Sequence, residues 1–360
     1  MLLSIERAIA RVLKIAKDKF NLSHQVYVQQ RVSEYREMWR AVAKEIGAEF
    51  KMLTDELWEV EFEGKSTRIV NYKLEFDNPV TLEMAGMKPL MYRLMKENGL
   101  RSPNHVTFCL KTLCDANHFL EAHPRGCVVK PAYGTSSAHG VTTHIRTSRE
   151  LRRAAILASL YCRNLIIEPL IPGESYRVLV LNGKVVDAVR RRGPRLTGDG
   201  VSSIRQLLNA ENARRRSFAD QVLDIDQDCL FTLGYQGLSL ETVPPSGRVV
   251  LVKSVNDPGR KRIEVRTIYD ETVTDLICGS ICHDAEAAAR ILRSDFVGVD
   301  FITPDPTVPL EKSGGVISEV NTTPGLHHHY DCKTQRFPRS AVDALTVLLR
   351  RHDAAHFCGK

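Results

Sequence analysis

Two short apolar runs toward the C-terminal end, Ser294-Asp-Phe-Val-Gly-Val-Asp-Phe-Ile302 and the stretch from Val316 through Ile317-Ser-Glu-Val-Asn-Thr-Thr-Pro-Gly325, constrain the fold more than any other feature. Both have the β-branched content of strands, and the first adds Phe296 and Phe301. Between them, Thr303-Pro-Asp-Pro-Thr-Val-Pro-Leu-Glu-Lys-Ser-Gly-Gly315 carries the proline and glycine punctuation of a loop that turns the chain back. The pattern predicts a hairpin. Glu319 and Asn321 are two residues apart, so the strand period places them on one face, and pairing of the runs brings Asp300 to the same place. Carboxylate and amide oxygens, without imidazole or thiolate, suit Mg²⁺, which keeps several waters and shares the rest of its shell with nucleotide phosphates. The bland alternative is a polar strand end followed by an ordinary turn.

At 360 residues the chain has length for about two domains or one multi-lobed body with a substantial core. Its apolar stretches fall well short of the ~20 residues that span a bilayer. The amino-terminal Met1-Leu-Leu-Ser-Ile-Glu-Arg-Ala-Ile-Ala-Arg is interrupted by Glu6, Arg7 and Arg11, which fits an amphipathic helix and not a secretory signal. A cytoplasmic location is therefore expected. The nine cysteines are odd in number and include no Cys-x-x-Cys pair, which argues against a disulfide framework and a zinc ribbon. Cys278, Cys282 and His283 fall near one face of a helix, where partial burial accounts for them. A net charge of +7 is modest at this length; without an aromatic-interleaved basic stripe or a helix-turn-helix pattern it supports nucleic-acid binding only weakly, and anionic small substrates explain it as well.

The first 60 residues or so have helical character, most clearly from Val32 to Ile46 with Gly47 as a stop signal. A small N-terminal lobe is expected. Leu57–Phe62 and Thr67–Tyr72 read as a hairpin around Gly64, and a helix is expected from Lys88 to Asn98, closed by Gly99. From Gly126 onward strands, loops and helices alternate, the pattern of a mixed α/β body.

Val128-Val-Lys-Pro131 is a strand ending in a lysine, and Gly134-Thr-Ser-Ser-Ala-His-Gly140 follows at once. Small residues let backbone amides approach phosphate oxygens, Thr135, Ser136 and Ser137 add hydroxyl donors, and Lys130 adds a point charge. No Gly-Lys-Ser/Thr follows, so this is not a Walker loop. Leu165 to Leu181 reads as two strands broken by a Pro-Gly turn, with Glu168, Glu174 and Arg177 its only charges. Backbone groups at Glu168 to Ile171 are placed to read an adenine edge, and Arg177 to bind an anion. Asn182-Gly183 turns the chain into the cluster Arg190-Arg-Arg192.

The order of these residues, from Lys88 through the Val-Val-Lys-Pro131 glycine loop, Glu168 to Arg177, Gly198-Asp-Gly200, Gly298-Val-Asp300 and Glu319-Val-Asn-Thr-Thr-Pro-Gly325, resembles the ATP-grasp carboxylate-amine ligases. It is similar above all to the ATP-grasp part of cyanophycin synthetase and of bifunctional glutathione synthetases, over roughly residues 85 to 350. The resemblance implies an α/β (α+β) ATP-grasp fold that holds the nucleotide between two α+β lobes, beside a small N-terminal lobe. The implied division is 1–85 for that lobe, 86–167 for a central subdomain with the phosphate loop, and 168–360 for a C-terminal subdomain with metal and substrate sites.

Residue by residue, the resemblance implies that Lys88 and Lys130 meet the ATP phosphates, beside Gly134, Thr135, Ser136, Ser137 and Gly140 of the loop read above as a phosphate cover. It implies that Glu168, Pro169, Leu170 and Ile171 hold adenine. Glu174 joins the ATP set next to Ser175, where the family carries its ribose carboxylate. Asp300, Glu319 and Asn321 would hold two Mg²⁺ ions, with Mn²⁺ as a substitute, and Arg177 and Arg191 would stabilise the transferred phosphoryl group. Lys253, Asn256, Arg260 and His327 are candidate substrate contacts. The loop Asp257-Pro-Gly-Arg-Lys-Arg262 is bulkier and more cationic than the family's, and hints at a second anionic group on one substrate.

The expected activity is an ADP-forming ligase that joins a carboxylate, an amino acid or short peptide, to an amine through an acyl phosphate. The alternatives are an ATP-grasp phosphotransferase without amide formation, and a nucleotide-binding regulatory or nucleic-acid-associated protein. No Mur-ligase-like stretch follows, which argues against an iterative two-site polymerase. Amino acids or peptides are the expected partners, with homodimerisation implied by the resemblance alone and no membrane or nucleic-acid partner.

Overall fold

The structure is a computed structural model that describes residues 2–19, 22–134, 139–215, 223–254, 270–329 and 338–351. The chain divides into two compact units, Met1–Arg190 with Thr272–Lys360, and Arg191–Glu271.

In the larger unit, helices Leu2–Lys19 and Leu22–Glu45 lead into a four-stranded antiparallel meander, Glu49–Met52, Leu57–Phe62, Lys65–Val70 and Lys73–Leu74. The hairpin around Gly64 forms as the sequence predicts. Glu63 and Gly64 take φ of 50° and 76°, the left-handed pair that a tight two-residue connection requires. Trp39, Trp58, Val60 and Ile69 bury together with Ala341, Leu345 and Leu348 of the C-terminal helix Arg339–Arg351, so the two ends of the chain share one apolar cluster.

A second sheet orders the strands Val106–Phe108, Leu165–Pro169, Cys127–Pro131 and Thr142–Ile145, all antiparallel. Helices Leu113–Glu121 and Ser148–Ala158 cover it through Leu120, Leu151 and Ala155. The second helix begins at a capping box in which Thr147 Oγ1 accepts from the Glu150 amide and Glu150 accepts from the Thr147 amide.

The third sheet is five-stranded and carries the candidate site on four consecutive strands, in the order Lys184–Arg191, Glu174–Leu181, Phe296–Thr303 and Val316–Thr322. The strand period divides its residues between two cores. Val178, Val180, Val297 and Val299 pack with helices Lys88–Glu97 and Gly279–Leu292, whereas Leu179, Leu181 and Phe296 face the cluster around Trp39 and Trp58. The Pro-Gly break at residues 170–173 is where the chain leaves the second sheet for the third. Gly173 takes φ of 121°, and a Cβ there would lie 2.2 Å from the carbonyl carbon of Thr303, so only glycine fits the crossing.

The smaller unit has its own core of Leu196, Ile204, Leu208, Cys229, Leu233 and Val250. It is built on helices Ile204–Arg215 and Gln227–Tyr235 and the antiparallel pair Arg195–Thr197 with Val249–Leu251. Residues 191–271 pack apart inside the 168–360 stretch, a division the sequence reading does not draw. In Gly198-Asp-Gly200, Asp199 accepts from the Val201 and Ser202 amides, so this motif acts as a turn within the unit. Among the described residues no helix is long and apolar enough to cross a membrane.

Candidate active site

The two runs that open the sequence argument do pair, antiparallel, with Asp300 opposite Glu319 and Gly298 opposite Asn321. On its other side Asp300 stands opposite Arg177. Arg177, Asp300 and Glu319 therefore form a row across three strands, as directly opposed residues on a pleated sheet must. Arg177 grips Asp300 bidentately, Nε to Oδ1 at 2.7 Å and Nη2 to Oδ2 at 2.8 Å, with both residues buried. Asn321 Nδ2 donates to Asp300 Oδ2 at 3.2 Å, which leaves its amide oxygen as the atom for a cation.

Glu319 Oε1 meets Lys88 Nζ at 3.1 Å. Burial pushes the Glu319 carboxyl upward, but Lys88, Lys130 and Arg177 outweigh it and hold the group below the usual glutamate range. It is a carboxylate at neutral pH. Lys88 opens its helix with Pro89 behind it, and the chain around it pairs with the end of the Lys130 strand: Lys88 N donates to Ala132 O and Gly134 N to Gly86 O. Lys88 and the first residue of the glycine loop are thus neighbours.

Lys130 Nζ lies 2.8 Å from Glu168 Oε1, and both side chains are buried. Lys130 opposes Ile166 in the register, so Glu168 is its diagonal neighbour on the same face. Tyr92 completes this group. Its hydroxyl accepts from Lys130 Nζ at 2.8 Å and has two acceptors in reach, Ser318 O at 2.7 Å and Glu168 Oε2 at 3.1 Å. No motif marks Tyr92. The available signal was its place four residues after Lys88, one helical turn on, on the same face.

Residues 135–138 of the glycine loop, with Thr135, Ser136 and Ser137, lie outside the described residues. At its two ends Gly134 and Gly140 take φ of 64° and 76°, and a Cβ on Gly140 would meet Tyr161 and Pro131. The Glu168 carboxylate is engaged by Lys130 and Tyr92, and the Leu170 amide donates to Gly126 O, so the adenine reading rests on the other backbone groups of residues 168–171. Glu174 lies 3.4 Å from Arg190.

Other candidates are placed elsewhere. Asn256 and Arg260 lie outside the described residues. Lys253 is buried in the smaller unit with Asp226 at 3.0 Å, and Arg191, also buried, is that unit's first residue. His327 Nδ1 meets Tyr35 Oη at 2.7 Å, which ties it to helix Leu22–Glu45. The His327–His329 turn is not a solvated loop. His328 and His329 are buried, and His329 Nδ1 meets Asp187 Oδ2 at 2.7 Å, a pair the sequence does not announce because its partners are 142 residues apart. Cys278 and Cys282 pack against the apolar core, as partial burial on a helix predicts.

Among the described residues no group of three or more His, Cys, Asp or Glu side chains is arranged to hold a metal. Two carboxylates and an amide converge instead, a donor set that fits a cation completed by water and phosphate.

No family profile matches the chain. It is 32% identical over 276 residues to cyanophycin synthetase of Geminocystis herdmanii, covering 74% of this chain and 30% of that protein. It is 26% identical over 266 residues to the glutathione biosynthesis bifunctional protein GshAB of Listeria innocua, covering 71% of this chain and 33% of that protein. The fold matches a bifunctional glutathione synthetase from Pasteurella multocida with a TM-score of 0.55 at 18% identity, over 85% of this chain and 42% of that one. The fold is that of the ATP-grasp proteins. Its architecture mixes helix and sheet, and the candidate residues Lys88, Lys130, Arg177, Asp300, Glu319 and Asn321 lie together in the larger unit. The chain spans about a third of the length of these curated relatives.

Proposed function

We propose that the chain is an ATP-dependent carboxylate-amine ligase. The γ-phosphoryl group of ATP passes to a carboxylate oxygen, ADP leaves, and an amine displaces phosphate from the acyl phosphate to form an amide. The observation that carries this reading is the Arg177–Asp300–Glu319 row, closed by Lys88, in which carboxylates and cations neutralise one another within one unit.

A site that binds a polyanion with a divalent cation needs this pairing, because neither the carboxylates nor the cations are then left bare before the ligand arrives. Asp300, Glu319 and Asn321 are the residues that would hold Mg²⁺, two ions with Mn²⁺ as a substitute, and bound Mg²⁺ would draw charge from the β and γ phosphate oxygens. Lys88 and Lys130 then turn toward the phosphates that take the place of their carboxylate partners. Arg177, fixed by two hydrogen bonds to Asp300, points a rigid guanidinium at the phosphoryl group and later at the oxyanion of the tetrahedral intermediate. Positioning and charge neutralisation carry most of such a reaction, and these residues supply both.

Amino acids or short peptides are the proposed substrates and the cytoplasm the proposed location. The test is ADP and phosphate production by the purified protein with Mg-ATP and pooled amino acids or short peptides, with mass spectrometry of each pool. A new mass equal to two components less water, formed with ADP, supports the ligase. A phosphorylated product without condensation contradicts it and assigns a phosphotransferase.

A further inference from the structure

Tyr92 sits where the phosphate lysine, its carboxylate and the metal strand meet. It comes from the Lys88–Glu97 helix, Lys130 and Glu168 from two strands of the second sheet, and Ser318 from the Val316–Thr322 strand. All belong to the larger unit. The ring is 1% exposed and fixed in place: it packs in the apolar core, and His105 stands edge-on at 5.2 Å between ring centroids.

The hydroxyl has one proton and two acceptors, Ser318 O at 2.7 Å and Glu168 Oε2 at 3.1 Å. Burial, and then the negative charges of Glu168 and Glu319, push its pKa well above that of an ordinary phenol, so the proton stays on. Lys130 is bound twice, to the Tyr92 oxygen and to Glu168 Oε1, both at 2.8 Å. If Lys130 turns to a nucleotide phosphate, Glu168 loses its ammonium partner while still buried. A buried carboxylate without a donor is costly, so something must replace the lost contact.

We propose that Tyr92 is a positioning residue for the nucleotide. Its oxygen holds Lys130 facing the phosphates, and its proton moves from Ser318 O to Glu168 Oε2 as Lys130 is drawn away. No bond to the proton is broken; the phenol rotates about its C–O bond and keeps its hydrogen. This role rests on the reading of Lys130 as a phosphate ligand.

The plain alternative is a core tyrosine whose hydroxyl only satisfies its neighbours. Tyr92→Phe keeps the ring and removes the oxygen, so the two accounts separate in binding. The experiment is calorimetric titration of Mg-ADP into the full chain for wild type, Tyr92→Phe, Glu168→Gln and the double variant, with melting curves alongside. A positioning role predicts at least ~10-fold weaker Mg-ADP binding in Tyr92→Phe, and a loss of less than ~3-fold for the same change in the Glu168→Gln background, where no buried charge awaits a donor. Equal affinity of Tyr92→Phe and wild type, or additive losses in the double variant, overturns the role.

If Tyr92→Phe does not fold, 3-fluorotyrosine in the wild-type chain gives a second reading. The Tyr92 fluorine resonance must shift on Mg-ADP binding, and a fixed resonance overturns the role. A wild type that binds no nucleotide overturns the ligase reading and this role with it. Binding that ignores Tyr92 overturns this role alone.

Discussion

Asp300 and Glu319 stand directly opposite one another on neighbouring strands, yet each has its own cation, Arg177 at 2.7 Å and Lys88 at 3.1 Å. Two adjacent carboxylates would otherwise repel and share a proton. The arrangement instead keeps the Glu319 carboxyl below its usual range.

Glu319→Ala is expected to lower turnover at least ~10³-fold, about 4 kcal/mol of transition-state stabilisation, if the carboxylate holds the cation that neutralises the transferring phosphoryl group as proposed. Steady-state ADP formation measures it. A folded variant with near-normal turnover refutes the metal role.

Arg177→Met leaves buried Asp300 without its bidentate partner. The expected loss of stability is about 3–5 kcal/mol, the range for breaking a buried ion pair on one side. Urea denaturation measures it, and Arg177→Met/Asp300→Leu should recover part of the loss. No recovery in the double variant contradicts the pairing argument.

Gly173→Ala should destabilise the chain by roughly 2–4 kcal/mol, because the residue takes φ of 121° and its Cβ would meet the Thr303 backbone. A melting temperature equal to wild type would show that the crossing between the sheets has slack.

The Asp187 carboxyl gives a pH prediction. Burial raises its pKa, but the hydrogen bond and charge of His329, the Thr274 hydroxyl and the Ala188 amide outweigh burial and leave it below the ordinary aspartate value. A lowered folded value means that the unfolded chain takes up the proton first as the pH falls. The contribution is therefore complete above about pH 5 and is lost as the pH drops through the folded value. Melting temperatures of wild type and Asp187→Asn should differ most near neutral pH and converge as the pH falls through the folded value. A constant difference across that range contradicts the assignment.

Much of the site was legible because its signals are local. The period of two in Glu319 and Asn321, the turn residues between Asp300 and Val316, and the Asn182-Gly183 hairpin follow from spacing and backbone chemistry, and the strands pair accordingly. Partners were not legible. Nothing near Lys130 in sequence says that its ammonium rests on Glu168 and Tyr92, and nothing near His329 names Asp187, since these contacts are fixed by how sheets and helices pack. The separate packing of residues 191–271 was hidden for a related reason. Its hairpin and helices follow the preceding strand without a linker-like change of composition, and its core exists only when Leu196 meets Val250 across 54 residues.

The most direct test of the account is calorimetric binding of a non-hydrolysable ATP analogue with and without Mg²⁺, in wild type and in Asp300→Asn/Glu319→Gln. The account predicts that removing Mg²⁺ weakens wild-type binding at least ~10-fold and leaves the variant's affinity unchanged. An affinity indifferent to Mg²⁺ in wild type, or a variant with the full Mg²⁺ response, would contradict a metal-nucleotide site on this sheet.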